Sequence, residues 1–307
     1  MADIIITEFM DDDAIASLKS KWVVFYDPLL HKTPDTLQRE LVSARALIIR
    51  NQTQITTDML KMAPRLTTIG RLGVGLDNID LNACEERGIS VIPAIGANSK
   101  AVSEYVITSA LMLLRGAFLS TGDVLSGLWP RTQLIGAELC GKTMGLIGLG
   151  SVARQVAHDA MSLGMKTIAF DPFIGDSDAA WKVTEKASFN DILRHADVLS
   201  CHVPLTEGTR HLIGEEALAI MKPSAIVINT ARGGIVDETA LVAALKSGRL
   251  SGAALDVFET EPLSAQSGEK FKDIKNLILT PHIAGVTKEA NVRVSNLIAD
   301  KVAQALA

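Results

Sequence analysis

Thr143-Met144-Gly145-Leu146-Ile147-Gly148-Leu149-Gly150-Ser151-Val152-Ala153 reads as a short apolar strand, a glycine-rich turn and the first turn of a helix. Gly148 and Gly150 let the backbone turn tightly and approach a pyrophosphate, and the small Ala153 lets the helix pack close to the strand. The helix N-terminus then presents unpaired N–H groups and the positive end of its dipole to an anion. Glycine turns are common, so the flanking residues must decide the reading. The run Val152 to Leu163 is helical, Gly164 stops it, and Lys166-Thr167-Ile168-Ala169-Phe170-Asp171 makes a second strand that ends in an acid. Asp171 lies 23 positions after Gly148, near the spacing expected of a carboxylate that bonds the ribose hydroxyls of NAD. Pro172 and Phe173 follow it, with no Arg beside it to receive a 2′-phosphate, so NAD is expected over NADP.

Downstream the α/β rhythm continues. Ser188 opens a helix three residues before Asp191, Asp197 to Val203 and Ala225 to Asn229 read as strands, Asp237 caps a helix to Lys246, and Ala253 to Val257 is a further strand. Upstream, Ile4 to Ile6, Val23 to Tyr26, Ala46 to Ile49, Thr67 to Arg71 and Ser90 to Ile92 read as strands of a parallel sheet. Helix signals lie between them: Asp11-Asp12-Asp13, Thr33-Pro34, Thr57 before Met59-Leu60, and Gly88 as a stop. The triple Asp is a dipole-favoured helix start and not a metal site. Both halves are therefore expected to be doubly wound α/β domains. A long helix from Lys100 to Leu119 connects them. The terminal run Thr287 to Leu306 sets Val294, Ile298, Val302 and Leu306 four apart, an amphipathic helix expected to return to the first domain and make it discontinuous.

Three strand ends of the second half carry chemistry, and ligands of open α/β sheets bind at the carboxyl ends of strands. Arg232 lies in Asn229-Thr230-Ala231-Arg232-Gly233-Gly234, Glu261 in Phe258-Glu259-Thr260-Glu261-Pro262, and His282 in Thr280-Pro281-His282-Ile283-Ala284-Gly285. A guanidinium forks onto a carboxylate, and an imidazole beside a carboxylate moves protons. Singly these are a loop cation, a turn acid and a loop histidine. In this order behind a dinucleotide turn they make a reaction centre.

With these motifs the chain resembles the D-isomer-specific 2-hydroxyacid dehydrogenases, whose pattern runs from the glycine turn through NxARGG and DVFExEP to PHxxG. The resemblance extends over Gly73-Val74-Gly75-Leu76-Asp77-Asn78-Ile79-Asp80 and over Asn98, Val102 and Glu104 at the connector; Ser103 stands for the usual alanine and Ala153 for the commoner third glycine. It implies a Rossmann NAD-binding domain, residues 99–282, inserted into a flavodoxin-like substrate domain, residues 1–98 plus 283–307. It further implies that His282 exchanges a proton with the C2 oxygen, that Glu261 orients it, and that Arg232 holds the substrate carboxylate, with Gly73, Val74 and Gly75 adding substrate contacts, the last two through backbone N–H groups. NAD is then held by Gly148, Gly150, Ser151, Val152 and Asp171. His202, Pro204, Thr230, Ala231 and Asp256 border it, as do Arg232 and His282, and His202 on its own residues is a structural strand-end histidine.

Substrate identity turns on Arg50 and Arg71, both at strand ends of the first half. They suit a second anion, as in 3-phosphoglycerate or 3-sulfolactate, and the general resemblance is to the phosphoglycerate dehydrogenase branch; the alternatives are pairing with acids at the domain rim, and a glyoxylate, hydroxypyruvate or other 2-oxoacid substrate. A different class, NAD-sensing corepressors of related fold, is distinguished by NADH binding without turnover. The connector helix and the Trp129 loop resemble the family's dimer contacts, so a homodimer is expected.

Composition excludes other partners. Of 307 residues 48% are hydrophobic and 21% charged, the balance of a globular chain. The net charge of −5 without clustered Lys and Arg leaves no face for nucleic acid or membranes. Cys84, Cys140 and Cys201 are widely spaced and suggest neither disulfides nor zinc. The start Met-Ala-Asp-Ile lacks a leader pattern, and Ala101 to Leu119 is broken by Glu104 and Arg115, so the cytoplasm is the expected location.

Overall fold

The computed structural model describes residues 2–116 and 119–307, and the chain forms two units, Met1–Asn98 with Val286–Ala307, and Ser99–Gly285. In the first unit β1 (Ile4–Ile6), β2 (Val24–Tyr26), β3 (Ala46–Ile49), β4 (Thr68–Arg71) and β5 (Ser90–Pro93) make a parallel sheet in the order β2-β1-β3-β4-β5. This is the flavodoxin-like order, with the switch point between β1 and β3. Helices cover both faces, which is why β1 and β3 are apolar at every position instead of alternating. On one face Ile5, Leu47, Ile49 and Ile69 pack with Leu41 and Leu60; on the other Ile4, Ile6 and Ile48 pack with Val294, Ile298, Val302 and Leu306 of the terminal helix Lys288–Leu306. Full burial of one such side chain contributes about 1.5–3 kcal/mol. Gly70 makes the terminal contact possible, because a Cβ there would lie 2.7 Å from the Ile298 side chain.

Local signals act as their chemistry dictates, with two shifts. Asp11 caps the helix Asp12–Lys19 through Asp13 N–H. The helix Thr57–Lys61 is capped by Thr56, not Thr57, because the Thr56 hydroxyl is the one that reaches Met59 N–H. The long helix, expected over Lys100 to Leu119, spans Ser99–Arg115. Gly116, at φ 58°, ends it in the left-handed conformation that L side chains avoid; Ala117 and Phe118 lie outside the described residues, and a separate short helix covers Ser120–Leu125.

The second unit carries β6 (Thr143–Ile147), β7 (Lys166–Phe170), β8 (Glu185–Lys186), β9 (Val198–Cys201), β10 (Ile226–Asn229), β11 (Gly252–Leu255) and β12 (Leu277–Leu279), all parallel, in the order β12-β11-β10-β9-β6-β7-β8. Its switch point lies between β6 and β9. The strand expected from Asp197 to Val203 ends at Cys201, since neighbouring β6 breaks into its glycine turn and offers no partner beyond the bond from His202 N–H to Ile147 O. This unit runs past His282 to Gly285. Ile283 and Ala284 donate their N–H groups to the Asp256 carboxylate, and Ala284 is buried in this unit's core. Among the described residues no helix is long and apolar enough to cross a membrane.

Candidate active site

The glycine turn sits at the second switch point. Gly148 adopts φ 90°, and a Cβ on it would come within 2.8 Å of His202 O and 2.9 Å of the Val203 side chain. Gly150, by contrast, faces open space, with nothing within 4 Å of its Cβ position. It caps the helix Ser151–Ser162 with no side chain on the first N–H groups, so those of Ser151 and Val152 are left for an anion. Asp171, at the end of β7, accepts from Leu149 N–H at 2.9 Å and from Phe173 N–H at 3.0 Å. It therefore ties the turn to β7 and is half-buried, with lone pairs remaining for ribose hydroxyls.

Around the same crevice two polar atoms are enclosed without a hydrogen-bond partner, His202 Nε2 and Thr230 Oγ1. Burial lowers the His202 imidazole to about 4, so it is neutral. Pro204 is exposed just beyond it. An open glycine face, an uncapped helix start, an acid on the next strand and unpaired polar atoms together fit NAD, which Gly148, Gly150, Ser151, Val152 and Asp171 would hold.

Arg232, Glu261 and His282 lie on the loops after β10, β11 and β12 respectively. His282 Nδ1 lies 2.8 Å from Glu261 Oε2. A carboxylate can only accept, so Nδ1 carries the proton and Nε2 is left for exchange. Glu261's other oxygen accepts from Phe258 N–H at 3.0 Å. Burial pushes the Glu261 carboxyl up, but the hydrogen bonds from His282 and Phe258 and the charges of His282 and Arg232 outweigh it and hold the group below its ordinary value. Arg232 thus acts electrostatically on the dyad. Its loop packs backbone to backbone on the Glu261 loop, for a Cβ on Gly233 would overlap Phe258 O at 1.7 Å.

Several residues shape this centre in ways that the sequence did not show. His282 has φ 57°, a conformation costing a non-glycine residue about 1–3 kcal/mol. Its N–H donates to Asp256 O at 2.8 Å, and the buried Asp256 carboxylate takes Thr280 Oγ1, Ile283 N–H and Ala284 N–H. Asp256, expected to border the cofactor, thus has both oxygens engaged in bending the His282 loop. Tyr105 extends the chain through its hydroxyl to Thr280 Oγ1 at 2.5 Å. Asn229 holds the Arg232 loop from both sides, donating to Arg232 O and accepting from Ala231 N–H. Glu238 and Glu259 each accept the other's backbone N–H, at 3.2 and 2.7 Å, which pins the Glu261 loop to the helix Glu238–Lys246. Asp256, the first residue of the DVFExEP pattern, was the available signal; nothing in the sequence marked Glu238, whose burial with donors only the structure shows.

The anticipated anion residues of the first unit follow β3 and β4. Arg50 is half-buried and directs its guanidinium to Asn291 Oδ1 and over the Phe9 ring. Arg71 Nη1 donates to Leu72 O and covers Gly73 so closely that a Cβ there would lie 1.6 Å from it. Val74 is exposed and Gly75 half-buried. Among the described residues no three His, Cys, Asp or Glu side chains gather as a metal cluster.

Residues 107–284 match the family model described as D-isomer specific 2-hydroxyacid dehydrogenase, NAD binding domain. Over all of its length the chain is 51% identical to an (S)-sulfolactate dehydrogenase of Chromohalobacter salexigens, covering 99% of that protein. It is 38% identical, again over its whole length, to a D-3-phosphoglycerate dehydrogenase of Methanocaldococcus jannaschii, of which it spans 58%. Its fold is similar to that of a D-lactate dehydrogenase from Aquifex aeolicus solved with NAD and lactic acid, at a TM-score of 0.84 and 29% identity over 99% of this chain and 95% of that one.

Proposed function

Starting from a chain that belongs to the D-isomer-specific 2-hydroxyacid dehydrogenase family and is an NAD-dependent oxidoreductase, we propose that its substrate is a small, doubly anionic 2-hydroxyacid of the 3-sulfolactate or 3-phosphoglycerate kind. The full-length likeness to a sulfolactate dehydrogenase supports the choice, and so do two arginines at strand ends of the first unit, Arg50 and Arg71. When bound, NAD supplies the acceptor for the hydride that leaves C2. His282 Nε2 takes the hydroxyl proton as the C2–O bond becomes a carbonyl, and returns it in reduction. Glu261 holds Nδ1 and stabilises the imidazolium that forms. Arg232 forks onto the C1 carboxylate. Of the first unit's own residues, Val74 and Gly75, beside Gly73, offer backbone donors to a carboxylate, and Arg50 with Arg71 offers charge to a second anion.

The observation that carries this reading is the 2.8 Å dyad of His282 and Glu261 with the Arg232 charge acting on it. Turnover with NAD is measured on both enantiomers of 3-sulfolactate, 3-phosphoglycerate, glycerate and lactate. His282→Ala is expected to lower kcat about 10²- to 10⁴-fold with NADH binding retained. Near-normal turnover by that variant removes the proton-transfer role, and NADH binding without turnover on the whole panel favours a sensor. The substrate assignment fails if the monoanions are the better substrates.

We also read the protein as a cytoplasmic homodimer, in which the first unit is the substrate domain. Three cysteines without a disulfide suit a reducing compartment, and exposed Leu125, Leu128, Trp129 and Ile135 suit burial against a second copy.

A further inference from the structure

The switch point of the first sheet, between β1 and β3, is where a sheet of this order takes a ligand at its strand ends. Here it is filled from within the chain. Glu8, just past β1 and 4% exposed, points its carboxylate into the loop that follows β3. Oε1 accepts from Arg50 N–H at 2.9 Å, Thr53 N–H at 3.0 Å and Thr53 Oγ1 at 2.9 Å. Oε2 accepts from Asn51 N–H at 3.1 Å and Gln52 N–H at 2.9 Å. Four successive backbone donors and a hydroxyl thus converge on one carboxylate. Asn78 engages the same loop through its carbonyls, donating Nδ2 to Arg50 O and Thr53 O. Thr7 closes the arrangement through its hydroxyl contact with Thr53 Oγ1 at 2.7 Å.

The loop so tied carries Arg50. Its side chain is gripped as well, by Asn291 Oδ1 at one end and the Phe9 ring along its plane. Burial disfavours the charge of both Glu8 and Arg50, yet the N–H donors hold the Glu8 carboxyl below its ordinary value. The five donors replace the water the buried carboxylate gives up, so the charge fixes the shape of the loop that supplies them.

We propose that Glu8 and Asn291 are positioning residues for Arg50: Glu8 sets the loop backbone and Asn291 the guanidinium, so that Arg50 meets the second anion of the substrate preorganised. This rests on the assignment of Arg50 above. Preorganisation of a binding group appears in substrate affinity for the part it binds and not in the chemical step at C2. Glu8→Gln keeps the shape but removes the acceptor from two N–H groups, and from the Thr53 hydroxyl as well where Oε1 is the atom replaced.

Kinetics of the full chain at saturating NAD, with 3-sulfolactate and 3-phosphoglycerate against lactate, test it. Glu8→Gln is expected to raise KM for the better dianion about tenfold with kcat within about twofold, and to lower the dianion-to-lactate ratio of kcat/KM about tenfold. Asn291→Ala, at a half-buried position in the first turn of the terminal helix, is expected to raise the same KM about threefold with an unchanged melting temperature. In an Arg50→Met background neither change should add to the loss. Equal losses on dianion and lactate would reduce Glu8 to a purely structural role and overturn the proposal. If Arg50→Met raises the dianion KM while Glu8→Gln and Asn291→Ala leave it alone, the positioning claim fails and the Arg50 assignment stands. If Arg50→Met itself leaves the dianion KM unchanged, the assignment on which the proposal rests is the one that fails.

Discussion

The two sheets end in opposite ways at their switch points. Between β6 and β9 the chain leaves an opening: Gly148 and Gly150 carry no side chains, the helix start is uncapped, and the nearest acid, Asp171, accepts only two N–H groups and stays half-exposed. Between β1 and β3 it closes the equivalent place with Glu8, which accepts five donors and is buried. One crevice is an anion site kept for a ligand; the other is an anion site satisfied by the protein. Backbone N–H groups beyond a switch-point strand therefore serve binding in one unit and loop shaping in the other, and what differs is whether a carboxylate from the neighbouring strand takes them.

The sharpest way to break this comparison is at the two glycines. Gly148→Ala forces a Cβ into a left-handed residue and against His202 O. It should weaken NADH binding about a hundredfold, read by fluorescence titration, and destabilise the unliganded protein. Gly150→Ala meets no atom within 4 Å, so it should weaken NADH binding while leaving the unliganded melting temperature within about 2 °C. Equal melting losses for both would show the crevice to be filled and not open.

Acid titration separates the two places by the groups they enclose. His202 falls from 6.5 to about 4 on folding, so the unfolded chain binds the proton first. Its contribution is full above pH 6.5 and is lost as pH falls toward about 4, at most about 3 kcal/mol. The Glu8 carboxyl is also depressed, from 4.5, so its contribution is present above pH 4.5 and is lost only as pH falls through its lower folded value. Denaturant melts should show the His202→Gln profile flattened between pH 4 and 6.5, and the Glu8→Gln profile flattened only below 4.5. Coincident windows would mean that the two groups do not act separately.

Asp171 gives the smallest effect. It shares Glu8's habit of accepting backbone N–H groups but keeps lone pairs for a ligand, so Asp171→Ala should lower the ratio of kcat/KM for NAD over NADP about tenfold. An unchanged ratio would leave Asp171 a carboxylate that only ties the glycine turn to β7.

Much of this was legible because it is local. Apolar runs bounded by Gly, Pro and capping residues announce strands and helices, and Ser188 and Asp237 cap where their spacing says. The four-residue spacing of Val294 to Leu306 also announced a helix in need of a sheet face. The misplaced features are those set by neighbours. The end of β9 depends on where β6 turns, and the end of the long helix on the backbone angle of Gly116. The roles of Glu8, Asp256 and Glu238 depend on donors 20 to 45 positions away.

The order of residues alone was enough for two parallel α/β sheets, the glycine turn and the placing of Arg232, Glu261 and His282 beyond strand ends, since strand ends and glycine turns are properties of short segments. Only the tertiary structure decided which Glu261 oxygen holds His282, that Asp256 bends the His282 loop into a left-handed residue, and that Glu8 closes the first switch point. Each of these is a hydrogen bond between residues far apart in the chain, and no spacing along a sequence encodes where a buried carboxylate finds its donors.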